Sequence, residues 1–387
     1  MSDALLMERE RALGICDRVL GASTAEQTEV NLMASDSGLT RFANNHIHQS
    51  VAEADAAVVV RAAIGQRVGV ASTNDTSDEG LRDVAARACA LAEAASPDEH
   101  FPGLPAPGEE PAPLRGSAAT ASFGPPERAE AVGECLAVAK ERGQTAAGAC
   151  SADVMVHAVA NSLGLRAYQE RTVAHLRMVF TGEDSSGYAE GYAEDASEIQ
   201  PRLLAEVAAE KSSASSGPGA VEPGRRDVIL EPPAVTDAVF HLGRSAFNAQ
   251  ACLEGRSPIH DRLGEQVCGK NITLVDDALD PRGIRSAFDF EGVPRQPVEL
   301  IGDGVAANLV HDSRTAARSG TRSTGHATPP PGTWGPVPLN LFLRPGDASV
   351  EEMIAATERG LLVTRFHYTN MLNPSAAVLT GMTRDGT

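Results

Sequence analysis

The sequence predicts an α+β protein. An N-terminal domain built from a duplicated helix–sheet–helix unit is followed by a β-rich C-terminal domain. Three observations carry this. The order helix, strands, helix occurs twice before residue 212. A Ser/Gly/Pro-rich stretch, residues 212–224, then interrupts the chain. Beyond it, short strand-like runs alternate with Gly/Pro turns.

The first unit spans residues 1–95. Glu8 to Leu20 places Leu13, Cys16, Val19 and Leu20 on one side of an amphipathic helix. Thr28 to Ala34 alternates as a strand, Ser37-Gly38 reads as a turn, and Leu39 to Ala43 and Ala56 to Ala62 are β-rich. Gly65 turns the chain into Arg67 to Ala71, and an Ala-rich helix runs from Glu79 to Ala95. Residues 96–117 form a Pro/Gly-rich linker. The second unit, residues 118–211, has a helix at Pro126 to Arg142 and strands at Ala146 to Ala160, Val173 to Thr181 and Gly187 to Ala193. A closing helix covers Ile199 to Lys211. The segments around Gly38 and Gly164 echo each other, which sets an internal offset of about 125 residues.

After the second linker, residues 212–225, the C-terminal domain occupies residues 226–387. Val235 to Leu253 is its long helix. Strands are expected at Val228 to Leu230, Ile272 to Val275, Pro297 to Ile301, Val305 to Val310, Leu339 to Leu343 and Leu361 to Tyr368. A short helix is expected at Val350 to Glu358. The strand Ala376 to Thr383 runs into Arg384-Asp385-Gly386, a hairpin-turn signal with no returning strand. An edge without a partner predicts a shortened C-terminus and self-association.

Composition bounds the function. The net charge is −19, and residues 1–225 hold 18 Lys/Arg against 33 Asp/Glu. Such a surface repels phosphate backbones, which argues against direct nucleic-acid binding. The six cysteines, Cys16, Cys89, Cys135, Cys150, Cys252 and Cys268, form no Cys-x-x-Cys pair and no disulfide or zinc-ribbon pattern. The N-terminal residues show no basic start followed by an apolar run, and no stretch approaches 18 apolar residues. A cytoplasmic protein with no membrane association is expected. No phosphate-binding loop, Gly-x-Ser-x-Gly or dinucleotide fingerprint is present. His46 and His48 share one face of a strand and read as a surface pair. Asp276, Asp277 and Asp280 read as solvated turn residues, and His260, His311, His326 and His367 are scattered over the C-terminal domain.

Four stretches carry a resemblance. They are Gly69-Val70-Ala71-Ser72-Thr73, Asp289-Phe290-Glu291-Gly292-Val293-Pro294, Asp312 to Ala327 with its Ser323-Thr324-Gly325, and the block from Val363 to Asp385. Together they resemble the TldD/PmbA family of peptidase-related proteins, in order and over nearly the whole chain. The resemblance implies a zinc-binding His-Glu-x-x-x-His on the helix opening the C-terminal domain, with a further cysteine ligand from the tail. There the imidazoles hold zinc and the Glu activates its bound water. The matching helix here reads His241-Leu242-Gly243-Arg244-Ser245-Ala246. Leu242 stands where the general base belongs and Ala246 where the second His belongs. The pattern is most similar to the PmbA, or TldE-like, branch, whose metal-free subunit pairs with a catalytic TldD subunit to degrade unfolded peptides or trim propeptides. The resemblance therefore implies no metal and no cofactor in this chain, zinc only in a TldD-type partner, and a dimer with that partner or with itself. It also implies an unfolded peptide as substrate. Candidate peptide-contacting residues are Ser323, Thr324, Gly325, Glu291, Gly292, Arg365 and Tyr368, with strand addition at Ser323-Thr324-Gly325 as the expected mode. Two other readings stay open: a metallopeptidase with unorthodox ligands centred on His241, and a stand-alone peptide-binding or inactive truncated module.

Overall fold

The computed structural model describes residues 7–385. Its first half opens with helix α1 (Arg9–Ala22), strands β1 (Gln27–Ala43), β2 (His46–Ile64) and β3 (Arg67–Thr73), and helix α2 (Asp78–Ala94). A short helix α3 (Ala118–Ala121) precedes the second unit: α4 (Pro125–Arg142), β4 (Thr145–Asn161), β5 (Arg166–Thr181), β6 (Ser186–Ala193) and α5 (Pro201–Ala214). The helix boundaries follow local chemistry. The Ser77 hydroxyl accepts from Gly80 N to start α2, prolines occupy the first turns of α4 and α5, and Gly143 at φ +65° ends α4.

The two units share one sheet, ordered β3-β2-β1-β4-β5-β6, because β1 and β4 pair antiparallel at its centre. The internal repeat is visible in the strand registers. Gln27 pairs with Ala63 and Thr145 with Thr181; Val58 pairs with Thr73 and Leu176 with Gly191. Each member of the first unit maps onto the residue 118 positions later. The offset of about 125 suggested by glycine echoes is thus corrected: Gly69 corresponds to Gly187. Each sits where a helix lies directly on the strand. A Cβ on Gly69 would overlap Ala88 O and Ala92 N of α2, and one on Gly187 would overlap Ala208 O and Ser212 N of α5.

A second correction concerns Ser37-Gly38. These residues lie within the 17-residue strand β1, paired on both sides. The chain reverses instead at Asn44 and Asn45, both with positive φ, as a two-residue hairpin requires. Gly38 serves close packing: the Arg128 guanidinium fills the place of its side chain.

Side-chain alternation separates two faces. Even-numbered residues of β1, β4 and β5 pack under the helices. Val30, Leu32, Val156, Ala158 and Ala160 meet α1 and α2, while Ala146, Cys150, Leu176, Met178 and Phe180 meet α4 and α5. The four long helices of the first half therefore cover one face. The opposite face receives the C-terminal half through Leu114, Val159, Leu165 and Ala167 against Ala287 and Phe288.

That half begins with β7 (Asp227–Leu230), α6 (Pro232–Ala246) and α7 (Ala249–Leu253). The expected single helix over Val235 to Leu253 is broken at Phe247-Asn248, where the Asn248 side chain accepts from Gln250 N and Ala251 N and starts a new helix. Next come β8 (Leu274–Asp276), β9 (Val298–Gly302), β10 (Val305–Ala306), α8 (Ser313–Ser319), β11 (Leu341–Leu343), α9 (Val350–Ala356), β12 (Gly360–Val363), β13 (Arg365–Asn373) and β14 (Val378–Arg384). Strands β10-β9-β8-β11 form a small sheet, and β12 runs parallel to β7. Strand β14 pairs antiparallel with β13, so the strand expected to lack a partner has one. The last turn residue, Gly386, lies outside the described residues. No helix among the described residues is long and apolar enough to cross a membrane.

Candidate functional site

The seam between the open sheet face and the C-terminal half gathers the buried polar residues. Strand β1 alternates Val30 and Leu32 toward the helices with Glu29 and Asn31 toward the seam, all four fully buried. Arg61 on β2 donates to Glu29 Oε2 (2.6 Å) and to Glu291 Oε1 (3.3 Å). Asn31 donates to Glu29 Oε1 (3.2 Å) and pairs with His157 Nε2 on β4 (2.9 Å). The His157 ring packs against Phe288 and Phe290 with centroids 5.1 and 4.7 Å away. Burial holds Glu29 above the usual carboxylate range, against the pull of the Arg61 charge. Burial also lowers His157, to about 3, and the Arg171 charge adds to this.

The Asp289-Phe290-Glu291-Gly292 stretch meets this network as a clamp. Asp289 Oδ1 accepts from Glu291 N (2.9 Å) and Val293 N (3.0 Å), and Oδ2 accepts from Ala327 N (2.8 Å). Burial and the neighbouring Glu291 push its pKa up, while the three amides oppose the shift. Glu291 Oε2 accepts from Ser313 N (3.0 Å), and Gly292, at φ +75°, turns the chain against Leu165.

Ser323-Thr324-Gly325 lies beside this clamp. Gly325 has φ +74°, and its Cα faces Pro294 O and Arg295 so closely that no Cβ fits. Thr324 N donates to His311 O (3.0 Å), Ser323 Oγ donates to the same oxygen (3.2 Å), and Gly325 N donates to Ser323 Oγ (3.2 Å). These donors hold the loop to residue 311. Thr324 Oγ1, His326 and Asp276 follow one another at 2.9 Å each. The order matches a hydrolase relay, but His326 is 1% exposed and the Thr324 hydroxyl already accepts from His311 N (2.8 Å). The three side chains pin the loop. Asp276 is thus corrected from a solvated turn residue to a fully buried one, which also accepts from Asn340 N (2.8 Å).

The remaining candidates lie elsewhere. Arg365 stacks over Tyr188 of β6 (3.9 Å) and donates to Asp385 Oδ2 (2.6 Å). Tyr368 is 74% exposed on β13, beside His367. Strand β6 lies four strands from β2, about 19 Å at ordinary spacing. Glu291, Gly292 and Ser323–Gly325 therefore cluster at the seam, whereas Arg365 and Tyr368 belong to the β13–β14 hairpin. His46 and His48 are exposed on β2, with ring centroids 6.4 Å apart.

On α6, His241 is half-buried with its ring edge-on to Phe240 at 5.5 Å. Ala246 is 3% exposed and packs with Phe247, Ile259, Leu274 and Leu300. Gly243 faces Leu341 and Pro338, and Arg244 lies 3.6 Å over the Trp334 ring. The donors do not fit a zinc ion: one imidazole stands with a methyl group in the apolar core and a guanidinium one turn away. No three His, Cys, Asp or Glu side chains converge as a metal set among the described residues.

Residues 223–387 match the model of the PmbA/TldA metallopeptidase C-terminal domain, and residues 28–92 match that family's domain 1. The chain belongs to the TldD/PmbA family. Among curated relatives, an uncharacterised protein of Methanocaldococcus jannaschii is 36% identical over 103 residues, 26% of this chain and 25% of its own length. A metalloprotease of Methanothermobacter thermautotrophicus is 32% identical over 142 residues, 36% of this chain and 31% of its own length. The matches thus span about a third or less of these relatives. TldE from Thermococcus kodakarensis shares the fold, with TM-score 0.84 and 22% identity over 93% of this chain and 84% of that one. Within the TldD/PmbA chain, Glu29, Asn31, Arg61 and His157 were absent from the sequence-derived candidates, and Asp276 was read there only as a solvated turn residue. The sequence carried no signal for their burial: a Glu and an Asn alternating with Val and Leu in β1 read as the solvated face of a half-buried strand.

Proposed function

We propose that this chain is the metal-free, non-catalytic subunit of a two-subunit TldD/TldE-type complex acting on unfolded peptides or propeptides. The observation that carries the reading is Ala246. At the position of the second zinc ligand the chain has a methyl group buried in the C-terminal core. Leu242 in place of the general base removes the water-activating group as well. The fold shared with the Thermococcus TldE is consistent with the same branch. The partner is a family member with an intact His-Glu-x-x-x-His, and zinc resides there. The test is peptide cleavage by a reconstituted complex carrying His241→Ala. Activity within a few-fold of the unsubstituted complex is expected, with no stoichiometric zinc in this chain alone. Complete loss of turnover in a folded complex returns the catalytic site to this chain.

A further inference from the structure

Two arginines at the seam are under-partnered for buried guanidinium groups: Arg171 has no hydrogen-bond partner among the described residues and Arg295 has one distant carboxylate. Arg171 lies on β5, two residues beyond Gln169 and on the same face. Gln169 Oε1 accepts from Ala287 N (2.7 Å), and Arg295 N donates to Ala287 O (3.0 Å). One short segment therefore brings the two arginines, one from each half of the molecule, near enough for their charges to interact. Both Nε atoms are buried without a hydrogen-bond partner. Arg171 takes part in no ion pair among the described residues, and Arg295, 9% exposed, reaches only Asp276, at 3.5 Å. That carboxylate is already held by His326 and Asn340 N. Glu194, the other nearby acid, is occupied by Arg285 through Nε (2.9 Å), Nη2 (2.6 Å) and the backbone N (2.6 Å). Burial and the facing Arg295 both disfavour the Arg171 charge. Arg171 itself is half-buried, so the pair is open to solvent on one side.

We propose that Arg171 and Arg295 form a carboxylate-binding site at the seam, and that its ligand is the C-terminal carboxylate of a peptide. The unpaired Arg171 guanidinium fork matches a planar carboxylate, which can accept two parallel hydrogen bonds from it, with Arg295 adding a second positive charge. The surrounding excess of acid, 33 against 18 in residues 1–225, disfavours polyanions and leaves a small monoanion as the suitable guest. The carboxylate chemistry stands on the geometry alone; the choice of a peptide terminus rests on the proposed function.

The test uses the full chain and three probes: tetra-alanine with a free carboxylate, the same peptide amidated, and acetate. Titration calorimetry is expected to show at least about tenfold weaker binding for the amide. Arg171→Met is expected to abolish binding of the free acid and to raise the ligand-free melting midpoint by about 2 °C, because an unpaired, half-buried charge beside a second arginine is removed. Arg171→Lys keeps the charge without the fork and retains only part of the binding. Equal binding of acid and amide, or unchanged binding of the acid to both variants, overturns the site. Acetate binding as tightly as the peptide supports the carboxylate site and overturns the peptide terminus. Binding of the acid by a chain that confers nothing on a catalytic partner supports the site while the proposed function fails. An active complex with no preference for the acid does the reverse.

Discussion

Asp36 of β1 pairs with Val154 of β4, and these residues are themselves equivalents in the internal repeat, 118 positions apart. A strand pairing centred on two equivalent residues places a pseudo-twofold axis through the middle of the sheet, perpendicular to it. That axis keeps both sets of helices on one face and leaves the other for the C-terminal half. The repeat is thus a device that builds a sheet with one free polar face.

The repeat makes matched predictions at Gly69 and Gly187. Gly69→Ala and Gly187→Ala each force a methyl into helix backbone and are expected to lower stability by about 2–3 kcal/mol. Gly14→Ala, in α1 with no atom in the way, is expected to raise it by about 0.5 kcal/mol. Urea unfolding of the three variants checks this. Equal effects at all three positions would contradict the close approach of helix to strand.

Arg61 is predicted to be the most sensitive residue of the seam. Arg61→Met leaves Glu29 fully buried and unpaired, with Glu291 beside it, and is expected to cost about 3–5 kcal/mol. Adding Glu29→Gln removes the stranded charge and should recover a large part of that loss. A double variant no more stable than the single one would show that Arg61 acts by packing.

The acid limb of stability should report His157. Its folded pKa, about 3, lies below the ordinary value, so the unfolded chain takes up the proton first. The contribution is fully present above pH 6.5 and is lost as pH falls toward 3. At pH 4 the loss is about 3 kcal/mol relative to pH 7. His157→Gln, which keeps a donor for Asn31, should show a flatter profile across this range. Parallel profiles for the two proteins would refute the assignment.

Restoring the family's zinc residues tests α6 directly. Leu242→Glu with Ala246→His supplies the absent side chains, but the imidazole must enter a filled apolar core. The double variant is expected to lose about 2–4 kcal/mol and to bind no zinc. Stoichiometric zinc, measured by elemental analysis on folded protein, would show that the helix retains a usable metal position.

Several features were determined by the sequence alone. The helices follow from apolar residues at helical spacing closed by Ser77, Gly143 and paired prolines, all local signals. The duplication was visible as an order of elements, and the departure from the zinc pattern as Leu242 and Ala246. Local chemistry could not supply the repeat's register, because a glycine such as Gly38 or Gly164 marks a close approach or a turn equally well. Only the matched registers of β1–β2 with β4–β5 and of β2–β3 with β5–β6 decided between them. The seam likewise needed tertiary structure. Glu29, Arg61, His157, Arg171, Asp276 and Arg295 are far apart in the chain, and a polar residue in a strand looks solvated until a second layer covers it. Burial and charge pairing depend on what lies opposite, and here that was fixed by a sheet face meeting a domain more than a hundred residues away in sequence.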